Sequence, residues 1–321
     1  MEFLAGLMHY GGIIICMAVS SGGIAIGQGI AGGGGAQGLS RQELAQPPVR
    51  RAILIGLAFI ETGSVFALVA SLMFLFNMPF EPTVASGLAV LGVGMGMGIS
   101  ACVVGIASGF VVASAIKAMA RQPFKANKIA SLMMLAQMLL EAPAVFSFIL
   151  CFLVRGFLTP TMTVVNGLAF GLAGLILGLA SIGPAIGQSL FASNACEAVG
   201  INIDMFPRIF SFAFVVQAII GTPIIFGLLL ALSMSLMLNP ANMVVADAVS
   251  ALLGATCAFG LGSIGAGIGS GFVAARAVRS MVEEPEQYTI LLRTTIICQA
   301  VIDTALIYSL IVAFFLLRQC M

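Results

Sequence analysis

The sequence predicts an all-α membrane protein of eight transmembrane helices, set out as four tandem antiparallel helical hairpins that form part of a ring. Three observations carry this prediction. The 321 residues are 60% hydrophobic and only 8% charged, with a mean hydropathy of +1.16, whereas a soluble domain carries about 25% charged residues. Apolar runs long enough to cross a bilayer (about 20 residues) recur eight times along the chain. The runs also repeat as four pairs at a nearly constant period. This composition excludes a soluble globular enzyme and a disordered protein. With 13 Lys+Arg against 12 Asp+Glu, it also offers no basic patch for nucleic acid.

The runs fall at 4–38, 51–77, 84–119, 128–154, 161–195, 207–237, 241–280 and 289–317. Grouped in pairs they give hairpins over 1–80, 81–157, 158–238 and 239–321. The first run of each pair exceeds what the bilayer needs, since about 35 residues make about 50 Å against a core of about 30 Å. Its end should therefore project into water. Lys and Arg set the orientation. Arg41, Arg50, Arg51, Lys117, Arg121, Lys125, Lys128, Arg208, Arg276, Arg279 and Arg293 lie at the turns within hairpins, and only Arg155 and Arg318 lie at the opposite side. The helix 1–2, 3–4, 5–6 and 7–8 loops are expected to be cytoplasmic, with both termini on the other side.

The N-terminal stretch MEFLAGLMHY lacks a basic segment, so a cleaved signal peptide is not expected. The seven cysteines, Cys320 among them, show no metal-ligand spacing and read as small buried hydrophobes. His9 and Asp247 lie near the non-cytoplasmic ends of helices 1 and 7 and read as interfacial residues.

Four strings fix the repeat: FIETGSVFAL, LLEAPAVFSF, IIGTPIIFGL and VIDTALIYSL. They align Glu61, Glu141, Gly221 and Asp303, separated by 80, 80 and 82 residues. Thirty-three residues upstream stand Gln28, Ser108, Gln188 and Ser270. Every repeat has the same order and topology, which argues against an inverted-repeat transporter. Around these upstream positions the offsets −3, −1 and +1 are always Gly, Ala or Ser. On a helix, −3 and +1 stack on one face and −1 lies about 160° away. Small residues let helices approach closely in lipid. Two such faces per helix describe a palisade that closes into a ring. The matches to GxGxxG at 27–32 and 260–265 sit inside apolar helices without a preceding strand, so they carry no dinucleotide site. No Walker lysine motif occurs.

Glu61, Glu141 and Asp303 lie near the centres of helices 2, 4 and 8, where a bare charge costs several kcal/mol and marks a functional site by default. No Lys or Arg shares a span centre with them, so each must be protonated or hold a cation. Polar residues accompany them in register: Thr62, Thr222 and Thr304 directly after the acid position, Gln137, Gln217 and Gln299 one turn before it, with Ala142 and Leu57 the exceptions. Tyr308 stands where the other repeats carry Phe. Such oxygen-rich surroundings suit a hard cation such as Na⁺. Pro143 and Pro223, two residues past the acid position, are expected to bend helices 4 and 6.

Together these residues resemble the rotor-ring proteolipid of rotary ATPases, the c subunit of the F-type and its multi-hairpin V-type relatives. The resemblance spans all four hairpins. It rests on the Gly-rich inner helix with Gln28, on the polar loops with Arg41-Gln42 and Arg121-Gln122-Pro123, on the outer-helix carboxylates, on the string from Gln299 through Asp303-Thr304 to Tyr308, and on Asn77-Met-Pro-Phe80. It implies that Glu61, Glu141 and Asp303 carry H⁺ or Na⁺, supported by Gln28, Thr62, Ser108, Gln137, Gln188, Thr222, Ser270, Gln299, Thr304 and Tyr308. Na⁺ would sit at Gln28, Glu61 and Thr62, the one hairpin holding that trio, although sites can also be completed across a hairpin boundary. It further implies other copies of the chain in a ring, a stator subunit bearing an arginine, and central-stalk subunits docked on Arg41, Gln42, Arg121 and Gln122. No cofactor and no catalytic chemistry of the chain's own are implied. Gly221 leaves the third hairpin without a carboxylate, so three ions per four hairpins are expected. Asp303 replacing Glu, and Ser108 and Ser270 replacing Gln, lean towards H⁺. A stand-alone cation channel or secondary transporter built from parallel repeats is the alternative.

Overall fold

The computed structural model describes residues 2–76, 81–236 and 245–319; the string at 77–80 and Cys320 lie outside them. Among the described residues there is no strand. Ten helices follow in order: α1 Glu2–Arg41, α2 Gln46–Phe76, α3 Val84–Arg121, α4 Ala126–Leu140, α5 Ala142–Phe157, α6 Val164–Ile201, α7 Phe206–Ile220, α8 Thr222–Leu236, α9 Val245–Glu283 and α10 Tyr288–Arg318. They make eight helices long and apolar enough to span a membrane, because α4 with α5 and α7 with α8 each form one interrupted span. Each long helix turns into its partner through a single turn of 3₁₀ helix, at Glu43–Ala45, Pro123–Lys125, Ile203–Met205 and Pro285–Gln287. At its other end, α3 starts on a capping box between Thr83 and Ser86, which satisfies two of the amides a helix start leaves open.

The long helices α1, α3, α6 and α9 stand side by side in that order as an inner row. The outer helices lie in the grooves between them: α2 against α1 and α3, α4 and α5 against α3 and α6, α7 and α8 against α6 and α9. The last, α10, packs chiefly on α9. Every outer helix before it therefore leans on its own inner helix and on the next one along.

Glycine makes this row possible, and it does so through space, since no glycine among the described residues has a positive φ. A Cβ on Gly27 would overlap the Gly105 carbonyl, and one on Gly109 would overlap the Gly27 carbonyl. The same fit recurs where Gly187 meets Gly267 and Gly271, and in polar form where Ser189 Oγ donates to Ala107 O at 2.8 Å. So the −1 residue of each inner helix sits between the −3 and +1 residues of the next, as the two-faced palisade requires. At the ends of the row these faces are open. Ala25 is exposed and nothing lies within 4 Å of a Cβ on Gly29, while Gly269 on α9 meets only Ile302 of its own hairpin.

Two apolar layers pack the interior, one towards the loops around Met119, Met133 and Phe212, the other towards the far end around Met97, Leu150 and Phe259. The acid register lies between them. His9, read as interfacial, is buried, with Nε2 3.2 Å from Phe74 O; Asp247 is exposed. At the loop end consecutive hairpins are tied together by Lys128 over the Phe206 ring at 5.5 Å and by Arg208 donating to Pro285 O at 3.2 Å.

Candidate functional site

The interruptions at Glu141 and Gly221 have a local cause. Pro143 and Pro223 have no amide hydrogen to give to the carbonyl four residues back, and their rings crowd it. Glu141 N still donates to Gln137 O at 3.1 Å and Gly221 N to Gln217 O at 3.0 Å, so the break is confined to one residue. In α2 and α10 the corresponding residues are Gly63 and Ala305, and those helices run through unbroken.

The four register positions differ in their surroundings. Gln28 Nε2 donates to Glu61 Oε2, across the hairpin from α1. Ser64 Oγ, one turn on, lies 3.1 Å from Oε1 and 2.8 Å from the Glu61 carbonyl. Glu61 itself lies on the open flank and is exposed. Glu141 is buried at 8% exposure, and neither of its carboxylate oxygens has a hydrogen-bond partner of good geometry. Thr62 of the preceding hairpin stands beside it. Asp303 is half-buried, with Thr222 Oγ1 of the preceding hairpin 3.4 Å from its Oδ2.

In the second and fourth hairpins the outer glutamine braces the inner helix. Gln137 Nε2 donates to Ser108 O at 3.3 Å and Gln299 Nε2 to Ser270 O at 3.5 Å. This leaves Gln137 Oε1, Gln299 Oε1 and the Ser108 and Ser270 hydroxyls buried without partners. In the third hairpin Gln188 Nε2 donates to Gln217 O at 3.0 Å.

The threonines are oriented by one shared bond. Each donates its proton to the carbonyl three residues back: Thr62 to Phe59 O, Thr222 to Ile219 O at 2.8 Å and Thr304 to Val301 O at 2.6 Å. The hydroxyl oxygen thus remains an acceptor, able to receive a carboxylic O–H or to ligate a cation.

The trio Gln28, Glu61 and Thr62 is not gathered in one place. Consecutive residues on a helix point about 100° apart, so Thr62 turns away from Glu61 towards Glu141. Thr304 and Tyr308 reach no carboxylate among the described residues and are exposed, Tyr308 at 67%. Arg41, Gln42, Arg121 and Gln122 stand at the loop ends of α1 and α3, both arginines exposed. Ser64 is a neighbour of the Glu61 carboxylate that the repeat pattern does not reveal, because only the first repeat has a hydroxyl there. Its position three residues after Glu61, on the same helix face, is the available signal.

Among the described residues no group of three or more His, Cys, Asp or Glu side chains could hold a metal ion. The one salt bridge among them, Arg279 to Glu197 at 3.8 Å, lies near the loop end. Among the described residues no basic side chain reaches the register, and its chemistry is that of isolated carboxyls among amide and hydroxyl oxygens.

Comparison with known proteins places this arrangement. The profile of the ATP synthase c-subunit family matches four times, over residues 11–74, 91–154, 172–234 and 253–316. The ATP synthase c subunit of Thermotoga maritima is 40% identical over 65 residues, 20% of this chain and 76% of that protein. One of the ATP synthase c subunits of Cereibacter sphaeroides, the one numbered 2, is 38% identical over 69 residues, 22% of this chain and 83% of that protein. The ATP synthase c subunit of Petrotoga mobilis is 41% identical over 66 residues, 21% of this chain and 69% of that protein. Each relative is about one hairpin of this chain in extent, and the profile covers all four. The chain belongs to the ATP synthase c-subunit family, with four of the family's units fused in one polypeptide.

Proposed function

We propose that this chain is a membrane rotor-ring subunit of a rotary ATPase or ATP synthase, and that Glu61, Glu141 and Asp303 carry the translocated ion. The observation that carries the proposal is three carboxylates in one mid-membrane register with no basic partner among the described residues. A carboxyl so placed crosses hydrocarbon at tolerable cost only when neutralised. It loads an ion from one aqueous access path, travels through lipid as a neutral group, and discharges into a second path. A stator arginine between the two paths prevents an ion from crossing without rotation. The chain itself makes and breaks no covalent bond, so its part in the complex is coupling.

The open flanks support assembly with further copies. Gly269 of one copy matches the gap between Ala25 and Gly29 of the next, as Gly27 and Gly187 fit within the chain. This seam is head-to-tail, the kind that closes into a ring when the rotation per unit allows. It brings Thr304 of one copy towards Glu61 of the next, as Thr222 is brought to Asp303. The basic loops face the cytoplasm by charge bias, and Arg41, Gln42, Arg121 and Gln122 dock the central stalk.

H⁺ is the ion we assign, since Glu61, Glu141 and Asp303 share little besides the ability to hold a proton. Na⁺ is the second reading, favoured by the unpartnered oxygens of Gln137, Ser108, Gln299 and Ser270 around two of the carboxyls. A stand-alone channel needs a wet path along the bundle, and the glycine faces close such gaps.

The test is the triple variant Glu61→Gln, Glu141→Gln, Asp303→Asn in the intact complex. Rings should assemble and ATP-driven ion transport should stop; full coupled transport would refute the proposal. Carbodiimide labelling of the three acids with and without Na⁺ separates the ions, since protection by Na⁺ above neutral pH reports Na⁺ and its absence reports H⁺.

A further inference from the structure

The junctions between hairpins follow one pairing rule, and one junction lacks both members of its pair. Thr62 of hairpin 1 stands beside Glu141 of hairpin 2, and Thr222 of hairpin 3 lies 3.4 Å from Asp303 of hairpin 4. The hydroxyl comes from the outer helix of one hairpin and the carboxyl from the outer helix of the next. By this rule the junction between hairpins 2 and 3 takes its hydroxyl from residue 142 and its carboxyl from residue 221. These are Ala142 and Gly221. The one repeat without Thr after the acid position therefore precedes the one repeat without the acid. Loss of the carboxyl alone would leave a threonine at a junction with nothing to serve.

The place is not simply apolar. Gln188 has the same offset as Gln28, whose amide goes to the Glu61 carboxylate. With no carboxylate to meet, Gln188 Nε2 turns to the Gln217 carbonyl, 3.0 Å away. It lies 3.2 Å from where a Cβ on residue 221 would start, across the space that side chain would enter. Gln217 is fully buried, and neither its Oε1 nor its Nε2 has a partner, nor does Gln188 Oε1. Buried amide groups rarely go unpaired in this way. The polar complement of a carboxyl is present here and the carboxyl is not.

We propose that the junction between hairpins 2 and 3 is a closed ion site: a spacer that carries no ion, with Gln188 held across it and Ala142 as the positioning residue that decides whether a carboxyl at 221 can work. The proposal rests on the reading of Glu61, Glu141 and Asp303 as ion carriers. Rebuilding the site then takes two substitutions. The carboxyl must be supplied at 221, where Gln188, the flexible end of a side chain, can swing to meet it. The hydroxyl must be supplied at 142.

The experiment compares Gly221→Glu alone, Gly221→Glu with Ala142→Thr, and Gly221→Glu with Ala142→Val, which has the shape of the threonine without its oxygen. Each is made in the full chain and measured in the assembled complex in membrane vesicles. Two quantities are read: carbodiimide adducts per chain, located by mass spectrometry, and ions moved per ATP. The threonine variant should label at 221 as well as at the three native acids, and its ion-to-ATP ratio should rise by about one third, as carriers go from three to four per chain. The single and valine variants should show no gain in the ratio. Gain in the single or valine variant equal to that of the threonine variant overturns the proposal, as does a labelled residue 221 in the threonine variant without gain.

A separate arm avoids the introduced acid. Thr62→Ala takes away the hydroxyl beside Glu141 and should change the labelling rate there several-fold while leaving Glu61 unchanged; a change at Glu61 with none at Glu141 refutes the pairing rule. Absence of labelling at all three native acids would instead refute the ion-carrier reading, so the two failures are distinct.

Discussion

Gly29 and Gly109 hold the same place on successive inner helices, yet their substitution by Ala should act on different events. In α3, a Cβ on Gly109 overlaps the Gly27 carbonyl and lies 2.8 Å from Gly27 Cα, where ordinary contact begins at 3.4 Å. The two helices must part by about 0.6 Å or more, and overpacking of this kind costs about 1–3 kcal/mol. Helix propensity returns about 1 kcal/mol for Gly→Ala. Gly109→Ala should therefore lower the stability of the single chain by up to about 2 kcal/mol. In α1 nothing lies within 4 Å of a Cβ on Gly29, so Gly29→Ala should leave the single chain unchanged or raise its stability slightly. At the proposed seam with a second copy the overlap should reappear. There, a cost of about 1–3 kcal/mol weakens each contact about 5- to 150-fold. Native mass spectrometry of rings against a series of detergents reads the assembly, and thermal melts followed by circular dichroism read the chain. Gly29→Ala rings as robust as the unsubstituted ones, alongside a destabilised Gly109→Ala chain, would refute the seam. So would a Gly29→Ala chain that melts early on its own.

Three further outcomes test the site and its support. Gln28→Leu removes the donor to Glu61 Oε2, a hydrogen bond of about 0.5–1.5 kcal/mol to a neutral carboxyl; carbodiimide labelling at Glu61 should change by about 2- to 13-fold while that at Glu141 and Asp303 stays constant. Pro143→Ala restores the missing amide and should join α4 to α5 in one helix, with a gain of up to about 3 kcal/mol in helix energy. Since the join moves Glu141, its labelling should fall relative to Asp303, and an unchanged rate would show that the break does not position the carboxyl. The buried hydroxyls of Ser100 and Ser147 lie 2.7 Å apart. A double-mutant cycle with Ser100→Ala and Ser147→Ala in detergent should return a coupling of about 0.6–2 kcal/mol, the range for hydroxyl pairs between membrane helices.

Much of this architecture is legible without coordinates, because lipid leaves the backbone few choices and the repeat supplies four independent copies of each pattern. The small offsets at −3, −1 and +1 state the packing of Gly27 against Gly105 and Gly109, since in lipid close approach depends chiefly on side-chain size. The breaks at Glu141 and Gly221 follow from Pro143 and Pro223. What stays hidden is which hairpin each polar group serves. Thr62 sits next to Glu61 in sequence, and only its angle about the helix turns it to Glu141. Gln188 and Gln28 share an offset and differ in what they meet. His9 gives no sign of its burial beside Phe74, because one residue has no repeat to compare with. Ser64 is hidden for the same reason.

The covalent joining of four hairpins changes the thermodynamics of building a ring. Bringing free molecules together costs an estimated 4–15 kcal/mol or more each in lost translational and rotational freedom. In a ring of single hairpins every hairpin added bears that cost. Here three junctions lie within one chain, two of them tied at the loop end by Lys128 over Phe206 and Arg208 to Pro285. Their partners are held at high effective concentration by the linker, and only junctions between chains depend on how much protein the membrane contains. Such a ring should persist at dilutions that would disperse one made of separate hairpins.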